Sequence, residues 1–395
     1  MTTDLRTTLD ACLAASVAAP DPVPGVVATV TDRAGVIYEG AAGVRRLGEP
    51  TPMSADAILA LFSCTKAITG TAVLQLVDQG VLDLDAPAAD YLPEIGDLQV
   101  LDGIADDGSL KLRPPKRAIT TRMLLLHTAG FGYDFFNATC RRLTSEFGYP
   151  SHRTGTRQSL KLPLLFDPGT DWEYGLSIDW AGLVAEAIRG KRLDAILSEH
   201  VFAPLGMTNT GFALSEAQQS RRAAMHAVDK TGALVPVPFE PPANPEVLMG
   251  GGGLFGTAGD YARFLRMWLN DGMGDHGRVL KPETVATASR NGLDGISVKP
   301  LPAINPALTY AVEFWPDIPK SWALTFLLNE ADLPTGRPAG SLAWAGLANL
   351  YYWIDRKTGI AGFWGAQRFP FRHPTAIAGF EAFETAFYRQ ISAAR

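Results

Sequence analysis

Strand-like runs lie at both ends of this chain and helical runs lie between them, and that distribution constrains the fold more than any single motif. Residues 25–43 read as two strands around the turn Asp32-Arg-Ala-Gly35. Residues 342–354 and 359–367 flank Asp355-Arg-Lys-Thr-Gly359, a hairpin signal. A helical period marks residues 5–18 through Leu5, Leu9, Leu13 and Val17, and residues 374–393 through Ile377, Phe380, Phe383, Phe387 and Ile391. The economical architecture is α+β: one sheet assembled from both termini, covered by the terminal helices, with a mainly helical region inserted. The expected division is 1–81 with 236–395 for the sheet domain and 82–235 for the insert, with the active site between them. Within the insert, 120–127 and 177–200 read as helices and 132–170 as irregular chain of the kind that builds a site or lid.

Composition removes several function classes. A net charge of −6 and the absence of a Lys/Arg stripe argue against nucleic acid as a partner. No apolar run approaches the roughly 20 residues that span a bilayer, so no membrane partner is expected. The three cysteines, Cys12, Cys64 and Cys140, have neither metal nor disulfide spacing. With an N-terminus lacking a basic leader, they lead to the expectation of a cytoplasmic protein. The six histidines are scattered without ligand spacing, so neither a metal nor another cofactor is expected. The run Gly250–Gly253 lacks the Lys-Ser/Thr of a phosphate loop, and Gly-x-Ser-x-Gly is absent.

The chemistry centres on Ser63-Cys-Thr-Lys66, which opens the strongly helical stretch 64–80. Three residues apart on a helix, the two side chains share a face one turn apart. A serine at the first turn has a backbone N–H outside the intrahelical ladder, free to meet an oxyanion. A lysine whose pKa falls on burial can take the serine proton. Alone, the pair also fits an N-cap serine with a surface lysine.

The order of further segments resembles the serine β-lactamase and penicillin-binding protein superfamily. Leu124-Leu-Leu-His127-Thr-Ala-Gly130-Phe-Gly-Tyr133 is similar to its "LLxHTSG" stretch, and Asp171-Trp-Glu-Tyr174-Gly-Leu-Ser177 to the segment of its catalytic tyrosine. Phe202 to Met207 resembles its "PLGM" loop, and Gly250 to Leu254 with Thr257 to Phe264 its "GGxGL…TAxDxARF" segment. Trp344-Ala-Gly346 stands at the third motif, as in the family VIII carboxylesterases of the class C-like branch. The resemblance implies the β-lactamase/transpeptidase-like fold, an antiparallel sheet flanked by helices.

It also implies roles. Ser63 would be the nucleophile, Lys66 and Tyr174 would share general base and acid work, and the N–H groups of Ser63 and Leu347 would form the oxyanion hole. A tyrosinate at Tyr174 would require a nearby positive charge, which Lys66 would supply. Tyr133, Trp344, Gly346, Phe131 and Leu176 are the expected substrate-binding residues, and His127 is read as structural. Class C β-lactamases place an amide-binding Asn where this chain has Leu176, so the expected reaction is hydrolysis of small or short-chain carboxylic esters through an acyl-enzyme. The alternatives are acyl transfer from a thioester to an alcohol, and β-lactamase or peptidase activity.

Overall fold

The computed structural model describes residues 3–393, so residues 1–2 and 394–395 of the expected sheet domain lie outside the described residues. Its centre is a seven-stranded sheet of β1 (Gly25–Asp32), β2 (Val36–Gly43), β3 (Lys320–Ala323), β4 (Phe326–Asn329), β5 (Leu342–Gly346), β6 (Leu350–Asp355) and β7 (Ile360–Gly365). The spatial order is β2-β1-β7-β6-β5-β4-β3, and every neighbouring pair is antiparallel. The two chain ends meet where β1 pairs with β7, with Ala28 opposite Trp364 and Asp32 opposite Ile360.

Strand alternation assigns β6 side chains to two covered faces. On one face, Tyr351 and Trp353 meet Phe380 of α6 (Pro374–Ala393), with ring centroids 4.8 and 5.9 Å apart. On the other, Tyr352 lies 5.2 Å from Tyr261 of α5 (Ala258–Leu269), which also lies 5.1 Å from Phe363. Both faces are buried, so β6 is apolar along nearly its whole length rather than alternating. Helix α1 (Thr3–Ala18) packs beside α6. At their crossing a Cβ on Gly379 would sit 2.3 Å from Ser16 Oγ, so the close approach requires glycine.

Three further helices carry site residues: α2 (Thr65–Asp78), α3 (Thr121–Leu126) and α4 (Ser177–Arg189). Helix α4 packs on both α2 and α3. The stretch 177–200 is not one helix. Gly190 takes a left-handed conformation at φ +62° and caps α4, and a separate turn follows at Leu193–Leu197. The pair Thr257/Asp260 forms only half a capping box. Thr257 Oγ1 accepts from Asp260 N at 3.1 Å, but the Asp260 carboxylate turns to Asn209 N and Thr210 Oγ1. A hairpin of Met225–Val228 and Leu234–Val237 spans the expected 235/236 division, which therefore falls within a strand.

Phe383 of α6 is fully buried, 5.5 Å from the Tyr38 ring of β2. Phe383→Ala should lower unfolding free energy by about 3–5 kcal/mol through lost burial and the cavity left behind. Urea denaturation should show the midpoint falling with an unchanged slope.

Candidate active site

Ser63 is presented by a strained turn. Leu59–Ala60 pairs with Phe255–Gly256, and Leu61 N–H donates to Leu254 O at 2.8 Å, which ties the chain before the serine to the glycine run. Phe62 then adopts φ +45°, an uncommon conformation for a bulky residue, at the start of the 3-10 turn Phe62–Cys64. The turn leads directly into α2, placing the Ser63 N–H at the opening of the helical ladder. Strand β5 ends against the same turn. A Cβ on Gly346 would meet Leu61 O at 2.6 Å, so glycine here lets Leu347 reach the cavity beside Ser63.

Lys66 lies one turn into α2 and is buried. Its Nζ donates to Ser63 Oγ at 3.3 Å, to Tyr133 O–H at 3.0 Å and to Gly251 O at 2.7 Å. It also stands 4.7 Å from the ring centroid of Tyr174 and 5.0 Å from that of Tyr133. Burial draws the ammonium down to about 7, opposed by the negative charge of Asp179 and by Cys64. Lys66 is therefore available as a neutral base near neutral pH.

The Tyr174 hydroxyl hydrogen-bonds Ser63 and accepts from Trp344 Nε1 at 2.9 Å. Burial pushes its phenol above the ordinary tyrosine value, and the bonds from Ser63 and Trp344 do not offset it. Burial thus favours the neutral phenol at Tyr174. Its hydroxyl can exchange a proton with Ser63, while its ring faces Lys66 Nζ. His127 caps α3 at φ +58°, is fully buried, and lies 4.8 Å from the Tyr174 ring. Burial holds its imidazole neutral, so it braces the tyrosine segment.

Ser63 opens on a cavity of about 400 Å³ walled by Phe62, Phe135, Phe239, Phe255, Phe369 and Leu308, with Tyr133 and Leu347 also facing it. One wall, residues 238–242, is tied from behind by Arg222. The Arg222 guanidinium lies 5.0 Å from the Phe255 centroid and 5.9 Å from that of Phe239. It donates to Phe239 O and pairs with Glu240 at 3.2 Å.

Four expected binding residues do not line this cavity. Phe131 is buried against Trp180, with centroids 6.0 Å apart, and does not line the cavity. Leu176 is buried at the N-cap of α4 and is likewise absent from the wall. Trp344 stands behind Tyr174 as its hydrogen-bond donor, and Gly346 acts by close backbone approach. Sequence reasoning missed Asp179, which faces the cavity and accepts from Gly251 N at 2.7 Å. A lone acid on an apolar helix carries no motif, and only its place on α4 five residues after Tyr174 was there to be read.

The Beta-lactamase family model matches residues 11–386. The chain belongs to that family. Among curated members, it is 32% identical over 369 residues to "Acyltransferase calJ" of Penicillium decumbens, covering 90% of this chain and 86% of that one. It is also 32% identical over 363 residues to "Lovastatin esterase" of Penicillium rubens, covering 86% and 88%. The unliganded simvastatin synthase LovD of Aspergillus terreus superposes with a TM-score of 0.83 at 27% identity, covering 98% of this chain and 99% of that one. No helix among the described residues is long and apolar enough to cross a membrane.

Because burial lowers Lys66 to about 7, its charged form dominates below that pH and cannot accept the Ser63 proton. With a nitrophenyl ester, kcat/KM should fall about tenfold per unit below this limb and level off above it. Lys66→Arg, which stays protonated, should lose activity about a thousandfold at every pH. A flat wild-type profile from about pH 5 to about pH 9 would remove Lys66 from the base role.

Proposed function

We propose that this β-lactamase-family chain is an acyltransferase: Ser63 takes an acyl group from a thioester or activated ester and passes it to an organic alcohol. The observation that carries the reading is Ser63, backed by buried Lys66 and Tyr174, opening on a largely apolar cavity large enough for an organic acceptor. Relatives named as an acyltransferase and an esterase, at equal identity, support an enzyme acting on esters through acyl chemistry. The 30% identity to "Monacolin J acid methylbutanoyltransferase" of Aspergillus terreus, over 93% of this chain, weights the reading toward transfer.

In the first half-reaction neutral Lys66 takes the Ser63 proton as Oγ attacks the acyl carbonyl. The resulting oxyanion would be met by the Ser63 and Leu347 N–H groups. The leaving group recovers the proton, and Ser63 is left acylated. In the second half-reaction the acceptor alcohol gives its proton to Lys66 and attacks the acyl carbon, and the departing Ser63 Oγ takes that proton back from Lys66. The phenylalanine walls suit an alcohol with an apolar body, and Tyr133, His152, Arg153 and Asp179 also face the cavity.

Ester hydrolysis is the second reading, with water as acceptor, supported by the lovastatin esterase relative. The two readings share every catalytic residue and differ only in the acceptor. A butanoyl thioester incubated with increasing cyclohexanol separates them by chromatography of the products. Transfer predicts cyclohexyl butanoate rising with alcohol while butanoic acid falls. Free acid alone at every alcohol concentration would leave hydrolysis as the activity. Ser63→Ala should abolish both products.

A further inference from the structure

We propose that Asp179 is a positioning residue for acyl transfer at Ser63, holding Lys66 in place through Gly251 and supplying its buried counter-charge. The inference rests on the reading that Ser63 and Lys66 perform acyl chemistry.

Asp179 sits in the first turn of α4 and is 1% exposed. Its Oδ1 accepts the Gly251 N–H at 2.7 Å, and the Gly251 carbonyl in turn accepts from Lys66 Nζ at 2.7 Å. One residue thus links carboxylate and amine, with its donor on one side and its acceptor on the other. A Cβ on Gly251 would lie 2.6 Å from Asp179 Oδ2, so the contact admits only glycine. Thr69 Oγ1 of α2 donates to Gly250 O at 2.8 Å and steadies the preceding residue. Helices α2 and α4 therefore grip the glycine run from both sides, with Asp179 as the charged jaw.

Asp179 Oδ2 is buried with no hydrogen-bond partner, an arrangement that is costly unless a counter-charge compensates. Lys66 in its protonated form is that charge. The other groups around Lys66 are Ser63 and Cys64 at the start of its own helix, and Tyr133, Tyr174, His127 and His152 from the segment that crosses it. Asp134 lies beyond Tyr133, 3.9 Å from His152. Burial holds both imidazoles neutral, His152 at about 3, and pushes the thiol and both phenols up. Asp179 is left as the carboxylate that acts on Lys66, opposing the effect of burial. Removing its charge lets burial act unopposed and draws Lys66 lower, so the acid limb of the rate moves to lower pH.

The test compares wild type with Asp179→Asn, Asp179→Ala and Gly251→Ala, using p-nitrophenyl butanoate across the pH range. Asparagine keeps the acceptor for Gly251 and removes the charge. Its acid limb should move down by about one pH unit with KM unchanged. Alanine removes both functions, and kcat should fall about a hundredfold at every pH with KM within about twofold. Gly251→Ala keeps both charges but drives Asp179 from its bond, and it should show the same loss of kcat. Wild-type kcat and an unmoved limb in the Asp179 variants overturn the proposal, as does an equal loss in both with an unmoved limb, which assigns Asp179 to the fold alone. If the Asp179 variants do not fold, unchanged kcat in Gly251→Ala overturns it. Equal rates for wild type and Ser63→Ala would instead sink the acyl-transfer reading itself.

Discussion

The pairing of β1 with β7 is the constraint from which the rest of the molecule follows. It joins Val27 to Gly365 across almost the whole chain, and closing so large a loop costs entropy before any contact forms. The aromatic layers on the two faces offset that cost: Tyr351, Trp353 and Phe380 on one, Tyr261, Tyr352 and Phe363 on the other. Once the sheet is closed, β5 is held where its last residues press on the Leu61–Ser63 turn. Ser63 is thus positioned by a strand remote from it in sequence, which is why a strained Phe62 backbone can persist beside it.

The site itself is a problem in desolvation. Lys66, Tyr174, Tyr133, His127 and Asp179 are all buried within one polar knot. Burial favours the neutral form of every member, and the residual charges are set by what each group touches. A lysine in water at neutral pH is a spectator cation. Buried against two aromatic rings and a carbonyl, it titrates where a base is useful. The hydrogen bonds from Trp344 to Tyr174 and from Gly251 to Asp179 tie the knot to its surroundings, while Asp179 Oδ2 and His127 Nε2 stay unpartnered.

Legibility in the sequence followed the length and regularity of each signal. The 355–359 turn carries a glycine between two apolar runs, and β6 and β7 meet around it as expected. The α6 stripe buries Ile377, Phe380, Phe383 and Phe387. Strands β3 and β4 were invisible: each has four residues, and the Leu324-Thr325 turn between them has none of the usual turn residues although Thr325 adopts φ +76°. Ser63, Lys66 and Tyr174 were legible because motifs name them, and the structure brings all three together. Phe131 and Leu176 were misplaced because neighbours of a motif residue in sequence point to different sides of the backbone. Asp179 depends on a partner seventy-two residues away, a relation no local pattern carries.

The Arg222 anchor divides the cavity into parts with different histories open to them. Its floor is interlocked, so a change at Ser63, Lys66 or Gly251 propagates to every other member of the knot. Residues 238–242 are moored to Arg222 by a ring, a carbonyl and one carboxylate, and by the Phe239 ring to Phe62 and Phe255. Replacements there alter which guest is retained while the reaction beneath continues. Shape at the wall of the cavity and chemistry at its floor are therefore set by separate groups of residues.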